Sequence, residues 1–264
     1  MEASVLPLIN LSNRGNLIEK INHKIVLFTR ERVLDKEIYL TLKKRLALSR
    51  TTLGRDDYLN TAVFVPLVFR NTEYYFLFEK RAINIPQGNE ICFPGGVFDP
   101  EKDKVLRDTA IRETEEEIGI DRKKIIIEGQ CNSVIAPMGA IIDVFIGVLD
   151  IAGPEELDIN VKEVEKVILI PVSYFMENEP DKFSVYLEIK PSYFDENGKE
   201  TILLPAWELG LPGRYHKPWK SKNHQILVYK WKDEKIWGIT AKIVHEIVKF
   251  LKGPGNKEDF DYPG

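Results

Sequence analysis

Cysteine is almost missing. Cys92 and Cys131 are the whole complement of a 264-residue chain, too few for a disulfide framework or a four-ligand zinc site. Histidine is scarce as well, and no histidine adjoins Cys92 in sequence, which argues against a thiol nucleophile and for an inert, buried one. Long apolar runs are absent: the best, Thr61 to Phe69, stops at Arg70, far short of the roughly 18 apolar residues of a membrane span. Basic blocks are lacking too. With a net charge of −4 and no long Lys/Arg block, neither a nucleic acid nor an anionic membrane is an expected partner. The opening MEASVLPLIN has no basic region leading into an apolar stretch, so the expected setting is reducing and cytoplasmic. No segment repeats.

What is present suits a folded domain: 44% hydrophobic and 30% charged residues supply one principal core and a solvated surface. Leu34, Ile38, Leu42 and Leu46 recur at helical spacing and predict a helix from Glu31 to Leu48 within an N-terminal extension, residues 1–56. Thr61–Arg70 and Tyr74–Phe78, separated by Asn71 and Thr72, read as a hairpin. After the loop Pro94-Gly95-Gly96 comes an acidic stretch, Asp99 to Asp103, and then a helix over Val105–Ile118 closed by Gly119. Further strands are expected near 125–128, 144–149, 167–170, 185–189 and 226–231. A last helix over Gly238–Lys252 carries the apolar stripe Ile243, Val244, Ile247, Val248 and Leu251. It ends at Gly253-Pro254-Gly255, and a loosely ordered tail, residues 253–264, is expected after it.

The chemistry concentrates in Arg112-Glu113-Thr114-Glu115-Glu116-Glu117-Ile118-Gly119-Ile120. At about 3.6 residues per turn, Glu113, Glu116 and Glu117 share one helix face. Ile111, Thr114 and Ile118 lie on another, which can pack against a sheet. Like charges at such spacings repel by a few tenths of a kcal/mol per pair, so the cluster gains nothing alone. Solvent can absorb that repulsion, and a solvated acidic face is the plain alternative. A hard divalent cation, Mg²⁺ or Mn²⁺, would turn repulsion into attraction and would complete its coordination with water and substrate phosphates. The glycine pair Gly95-Gly96, where backbone can approach an anion, and the adjoining Arg112 favour the cation.

These residues resemble the Nudix box, G-x5-E-x7-R-E-U-x-E-E-x-G-U with U apolar, through Gly96, Arg112, Glu113, Glu116, Glu117, Gly119 and Ile120. The resemblance implies that Glu113, Glu116 and Glu117 are metal ligands and that Arg112 orients them. Thr114 stands in an apolar place of the box. Gly96 and Arg112 are 16 positions apart, two more than the box asks, and Lys104 falls where the box has its early Glu. Asp99, Glu101 or Asp103 is left to stand in for that residue.

A second resemblance lies upstream. Phe76-Leu77-Phe78-Glu79-Lys80-Arg81-Ala82, continuing to Gly88-Asn89-Glu90-Ile91-Cys92-Phe93-Pro94-Gly95-Gly96, is similar to the signature before the box in coenzyme A pyrophosphatases. Asp99-Pro100, Thr109 to Thr114 and Ile236 to Ala241 are similar as well. The implied substrate is coenzyme A or an acyl derivative, split into 3′,5′-ADP and (acyl-)4′-phosphopantetheine. Arg81 becomes a candidate phosphate contact, since guanidinium grips phosphate bidentately; a surface residue at a strand end is its other reading.

Nudix enzymes place the general base variably. Glu163, in the acidic segment before the strand near 167–170, is the first candidate, with Glu113 acting through a metal-associated water as the second. Arg214-Tyr215-His216-Lys217-Pro218-Trp219-Lys220 could hold an adenine ring and a phosphate, or be an ordinary loop. The implied fold is α+β: a Nudix α/β/α sandwich over residues 57–252 with a mixed sheet, the acidic helix on one side and the last helix on the other. Rival readings are a Nudix pyrophosphatase for ADP-ribose or another nucleoside diphosphate derivative, and a non-catalytic nucleotide-sensing module. A zinc-ribbon enzyme for dinucleotides is disfavoured by the missing cysteines. A homodimer stays open.

Overall fold

A computed structural model describes residues 52–253, together with Tyr39, Leu40, Lys43 and Lys44, which are helical. The rest of the helix expected over Glu31–Leu48, and the tail beyond Gly253, lie outside the described residues. The chain divides into two units, Met1–Leu53 and Gly54–Gly264, and every strand among the described residues belongs to the second.

Strand β1 (Leu59–Arg70) turns at Asn71-Thr72 into β2 (Glu73–Arg81), with Arg70 facing Glu73 across the pair. Both turn residues have positive φ, 48° and 71°, the geometry a two-residue hairpin demands. Asn adopts it readily; Thr, β-branched, does so under strain. Two short strands follow, β3 (Ile91–Cys92) and β4 (Gly95–Val97), then helix α1 (Leu106–Ile118). Strands β5 (Ile125–Gln130), β6 (Val134–Ala136), β7 (Ala140–Leu149) and β8 (Val164–Pro171) complete the main sheet. Its path runs β3-β2-β1-β7-β5, with β4 also on β1, β6 on β7 and β8 on β2. The β1–β7 pair is parallel and the others are antiparallel, so the sheet is mixed as expected.

Alternation along β1 and β2 builds a core on each face of this sheet. Ala62, Phe64, Val68 and Leu77 point one way, to Ala110, Ile111 and Ile118 of α1. Val65, Phe76 and Phe78 point the other way, into a cluster with Phe93, Phe175, Tyr229 and the buried stripe of the last helix. Phe78 stacks on Phe93 at 4.6 Å between centroids.

Beyond the main sheet come a short helix α2 (Val172–Glu177), strand β9 (Asp181–Ile189), the hairpin β10 (Ser192–Phe194) and β11 (Glu200–Ile202), strands β12 (Trp219–Trp231) and β13 (Glu234–Trp237), and helix α3 (Gly238–Lys252). The strands expected near 185–189 and 226–231 thus form a separate three-stranded sheet, β13-β12-β9, rather than extending the main one. That sheet sends Leu227, Tyr229 and Ile236 into the same core as Ala241, Ile243, Val244, Ile247 and Val248 of α3. With α1 on the opposite face, the fold is an α/β/α sandwich carrying a second sheet and a small hairpin.

Phe78→Ala should lower the free energy of unfolding by about 3–5 kcal/mol, whereas Phe183→Ala, at a side chain 56% exposed on β9, should stay within about 0.5 kcal/mol of the parent. Urea titrations of the two variants compare them directly.

Candidate active site

Helix α1 begins where Asp108 Oδ2 accepts from the amides of Lys104 and Val105, satisfying N-terminal donors that the helix leaves unpaired. It stops at Gly119, whose φ of 64° is left-handed and whose amide donates to Glu115 O. A Cβ there would run into the backbone carbonyl of Asp158, so glycine is required both by conformation and by space. Thr114, in its apolar box position, is fully buried and donates to Ala110 O at 2.6 Å, which satisfies its hydroxyl inside the helix.

The helix presents its acids to two different environments. On the outer side, Arg112 grips Asp103 with both arms, Nε to Oδ1 at 3.0 Å and Nη2 to Oδ2 at 2.9 Å. Its Nη1 donates to Glu113 Oε1 at 2.6 Å and to Glu116 Oε2 at 3.3 Å. Asp103 is buried and also accepts from Thr109 Oγ1 at 2.8 Å and Asp99 N at 3.1 Å. The Arg112 hydrogen bonds hold the Asp103 carboxyl down at about 2, and Asp103 in turn raises the guanidinium's already high pKa. Of the three acids left open by the sequence, Asp103 is therefore the one built into the helix's support.

On the inner side, Glu117 is buried and accepts from Gly95 N at 2.9 Å. Burial raises its pKa, and the neighbouring charge of Glu79 raises it further. Glu113 is also pushed up by burial, with Arg112 pulling against the shift. Gly96 is needed for a plain reason: a Cβ on it would overlap the Glu113 carboxyl. Strand pairing explains the approach, because Gly96 lies opposite Ala62 of β1, on the sheet face that α1 covers.

Glu79 was not anticipated. It follows Leu77 by two residues on β2 and so shares the α1 face of the sheet. It is completely buried. Its Oε1 accepts from the Cys92 thiol at 3.2 Å and lies 3.9 Å from Arg81 Nη1, while its Oε2 has no hydrogen-bond partner. Burial pushes its pKa up, as do the charges of Glu163 and Glu113. The available signal was alternation, which sets a charged residue on a core-facing strand position next to Leu77. Cys92, facing Glu79 across β2–β3, is driven well above the ordinary thiol range by burial and by that carboxylate.

The other expected residues sit as follows. Arg81 ends β2 with Nε donating to Pro86 O at 3.2 Å and its guanidinium beside Glu79, so its charge serves the buried carboxylate. Glu163 is exposed, its carbonyl accepting from Ala82 N at 2.8 Å, and its charge acts on both Glu79 and Glu113. His216 and Arg214 are engaged by their own loop: His216 Nε2 pairs with Leu211 O, and Arg214 lies over Tyr215.

Among the described residues, no three His, Cys, Asp or Glu side chains are gathered as a finished metal cage. Glu113 and Glu116 lean on Arg112, and Glu117 leans on Gly95 N. The donor set still fits Mg²⁺ or Mn²⁺. Every candidate atom is a carboxylate oxygen, the buried orphan Glu79 Oε2 lies on the same sheet face, and these ions need few protein ligands because they keep waters and take substrate phosphates.

The family model "NUDIX domain" matches residues 59–183. The chain is 26% identical over 196 residues to an uncharacterized Nudix hydrolase, NudL, of Photorhabdus laumondii, covering 74% of this chain and 86% of that one. It is 28% identical to the mitochondrial coenzyme A diphosphatase NUDT8 of Mus musculus, over 80% of this chain and 87% of the relative. With the peroxisomal coenzyme A diphosphatase NUDT7 of Mus musculus it shares 30% identity over 44% of this chain and 48% of the relative.

Two substitutions probe the site. Gly96→Ala should displace only the flexible end of Glu113, leaving stability within about 1 kcal/mol while hydrolytic activity falls about 100-fold. Asp103→Asn should cost about 2 kcal/mol at pH 7, the scale of hydrogen bonds to a charged group. Because the folded-state pKa of Asp103 lies below its ordinary value of 3.8, at about 2, the stability difference between parent and variant should be full above that ordinary value and shrink as pH falls toward 2. Urea midpoints measured across that range give the profile.

Proposed function

We propose that this chain, whose residues 59–183 match the NUDIX domain model, is a Nudix hydrolase that cleaves the diphosphate bond of coenzyme A or an acyl derivative, with Mg²⁺ or Mn²⁺, to 3′,5′-ADP and (acyl-)4′-phosphopantetheine. The observation carrying the reading is the Arg112–Asp103 clamp, which fixes Glu113 and Glu116 beside the buried Glu117. Glu113, Glu116 and Glu117 would hold the cation. When bound, it supplies positive charge against the diphosphate oxygens and makes water a better nucleophile.

The chain's own residues do the rest. Arg112 keeps two of the carboxylates in place, and Gly96 leaves room for Glu113. Glu163 is proposed as the base that takes the proton of the attacking water, being an exposed carboxylate on the side of Glu113; Glu113 is its alternative. Arg81, one bond from the loop that follows β2, is proposed to meet a substrate phosphate, and Gly95 and Gly96 let backbone come close to it. Beside Arg81 an open cleft of about 650 Å³ is lined by Ala82, Ile83, Asn84, Asn89, Val161, Lys162, Val164 and Glu165. Its mixture of amide and aliphatic groups suits an arm that alternates amides with methylenes, as the pantetheine arm does.

Coenzyme A is favoured over ADP-ribose by the run Phe76 to Gly96 and by the two relatives named as coenzyme A diphosphatases. No helix among the described residues is long and apolar enough to cross a membrane, and the cytoplasm is the proposed compartment; those two relatives are named for the mitochondrion and the peroxisome.

Mass spectrometry of products decides the matter. Wild type with Mg²⁺ should convert coenzyme A to the two phosphorylated products faster than it turns over ADP-ribose, and Glu116→Gln should lower the rate by about 100-fold or more. ADP-ribose turnover equal to or above that of coenzyme A overturns the substrate; tight binding without turnover of either points to a sensor.

A further inference from the structure

Glu79 has a counter-charge, Arg81, beside one of its oxygens only. Its burial is complete, and its two oxygens are unequally treated: Oε1 has the Cys92 thiol and Arg81, while Oε2 has no partner. Leaving a buried carboxylate oxygen unpaired is costly. The charged groups around Glu79 besides Arg81 are Glu163, Glu113 and Glu117, which add to the negative field. Strand alternation aims Glu79 at the sheet face under α1, the face that Gly95, Gly96 and Glu117 occupy. A carboxylate so placed is completed by a cation.

We propose that Glu79 Oε2 is a further ligand of the divalent cation, outside the acidic helix, forming with Glu117 the inner wall of the metal site. The inference rests on the proposed metal dependence and adds a residue to it. Cys92 and Arg81 then hold Oε1 as outer partners that orient the ligand, a common companion of metal-binding groups.

The test is Mn²⁺ affinity of the purified full-length chain without substrate, read from the paramagnetic resonance signal of free Mn²⁺ and from the rise in melting temperature that Mn²⁺ produces. Glu79→Gln keeps shape and removes charge; it should weaken Mn²⁺ binding about 10-fold or more and shrink the metal-induced rise. Were Glu79 only a neutral, protonated carboxyl filling the interior, Gln would mimic it and Mn²⁺ affinity would not change, which overturns the proposal. Glu79→Asp keeps the charge but withdraws the oxygen by one methylene, and should also weaken binding, so misfolding of the first variant leaves the question answerable. Glu116→Gln separates the two levels of the argument. Loss of Mn²⁺ binding in Glu116→Gln with none in either Glu79 variant removes Glu79 alone, whereas a wild-type chain that takes up no Mn²⁺ at millimolar supply removes the metal site itself.

Discussion

The structure turns on acidic groups buried where their charged forms cannot be hydrated. Glu79, Glu117 and Asp103 are all nearly inaccessible to solvent, and Glu113 is largely covered. Two like unit charges about 4 Å apart repel by roughly 4 kcal/mol at an effective dielectric constant of about 20, so an arrangement of this kind stands only if something opposes the charge or a member keeps its proton, the direction in which burial pushes Glu79 and Glu117. Apolar contact supplies part of the answer. Ala110, Ile111 and Ile118 press α1 onto Phe64, Val68 and Leu77, each buried large aliphatic side chain contributing about 1.5–3 kcal/mol. The helix is held by its greasy face so that its acidic face can be left in an unfavourable place.

The opposition to that charge is distributed unevenly. The outer half is neutralised from within: Arg112 spreads its donors over Asp103, Glu113, Glu116 and the carbonyl of Val97. The planar fork of guanidinium makes such sharing possible, and lysine in its place could not pair two oxygens of Asp103 and still reach a second carboxylate. The inner half has the amide of Gly95 for Glu117 and the side of Arg81 for Glu79. Close packing around it depends on β4, whose glycines let the strand lie against β1 with no side chain between Ala62 and Glu113. The sequence feature that looked like an anion-binding loop is, in the folded chain, first of all the space in which the carboxylates fit.

How far these features could be read from residues alone follows from how local each one is. The hairpin at Asn71-Thr72, the helix ending at Gly119 and the stripe of α3 were legible because period, turn residue and cap all lie within a few positions. The short strands β3, β4 and β6 were not, since two or three residues carry no period; they exist because β1, β2 and β7 offer them edges. The separate sheet of β9, β12 and β13 was missed because alternation identifies a strand and not its partner. At the site, the spacing of Glu113, Glu116 and Glu117 was visible in the helix, but the choice of Asp103 over Asp99 or Glu101 needed the loop's path, and Glu79 needed the sheet. Glu79 lies 16 residues before Gly95, beyond the reach of the acidic motif's own spacing, although its alternation with Leu77 marks it as core-facing.

The partner of Glu79 gives the asymmetry its chemical sense. A thiol is a weak hydrogen-bond donor, and burial together with the adjacent carboxylate makes Cys92 reluctant to ionise, so it donates a proton to Oε1 without satisfying the charge. A hydroxyl or amide donor at that position would stabilise the carboxylate more and leave less attraction for anything else. Arg81, at 3.9 Å and bonded also to Pro86 O, is likewise a partial partner. The chain thus satisfies its outer acids with a strong bidentate clamp and its inner ones with weak donors. On the proposed reading, affinity for a cation would be bought with folding stability and would be strongest where the protein's own compensation is poorest, the inner wall formed by β2 and the end of α1.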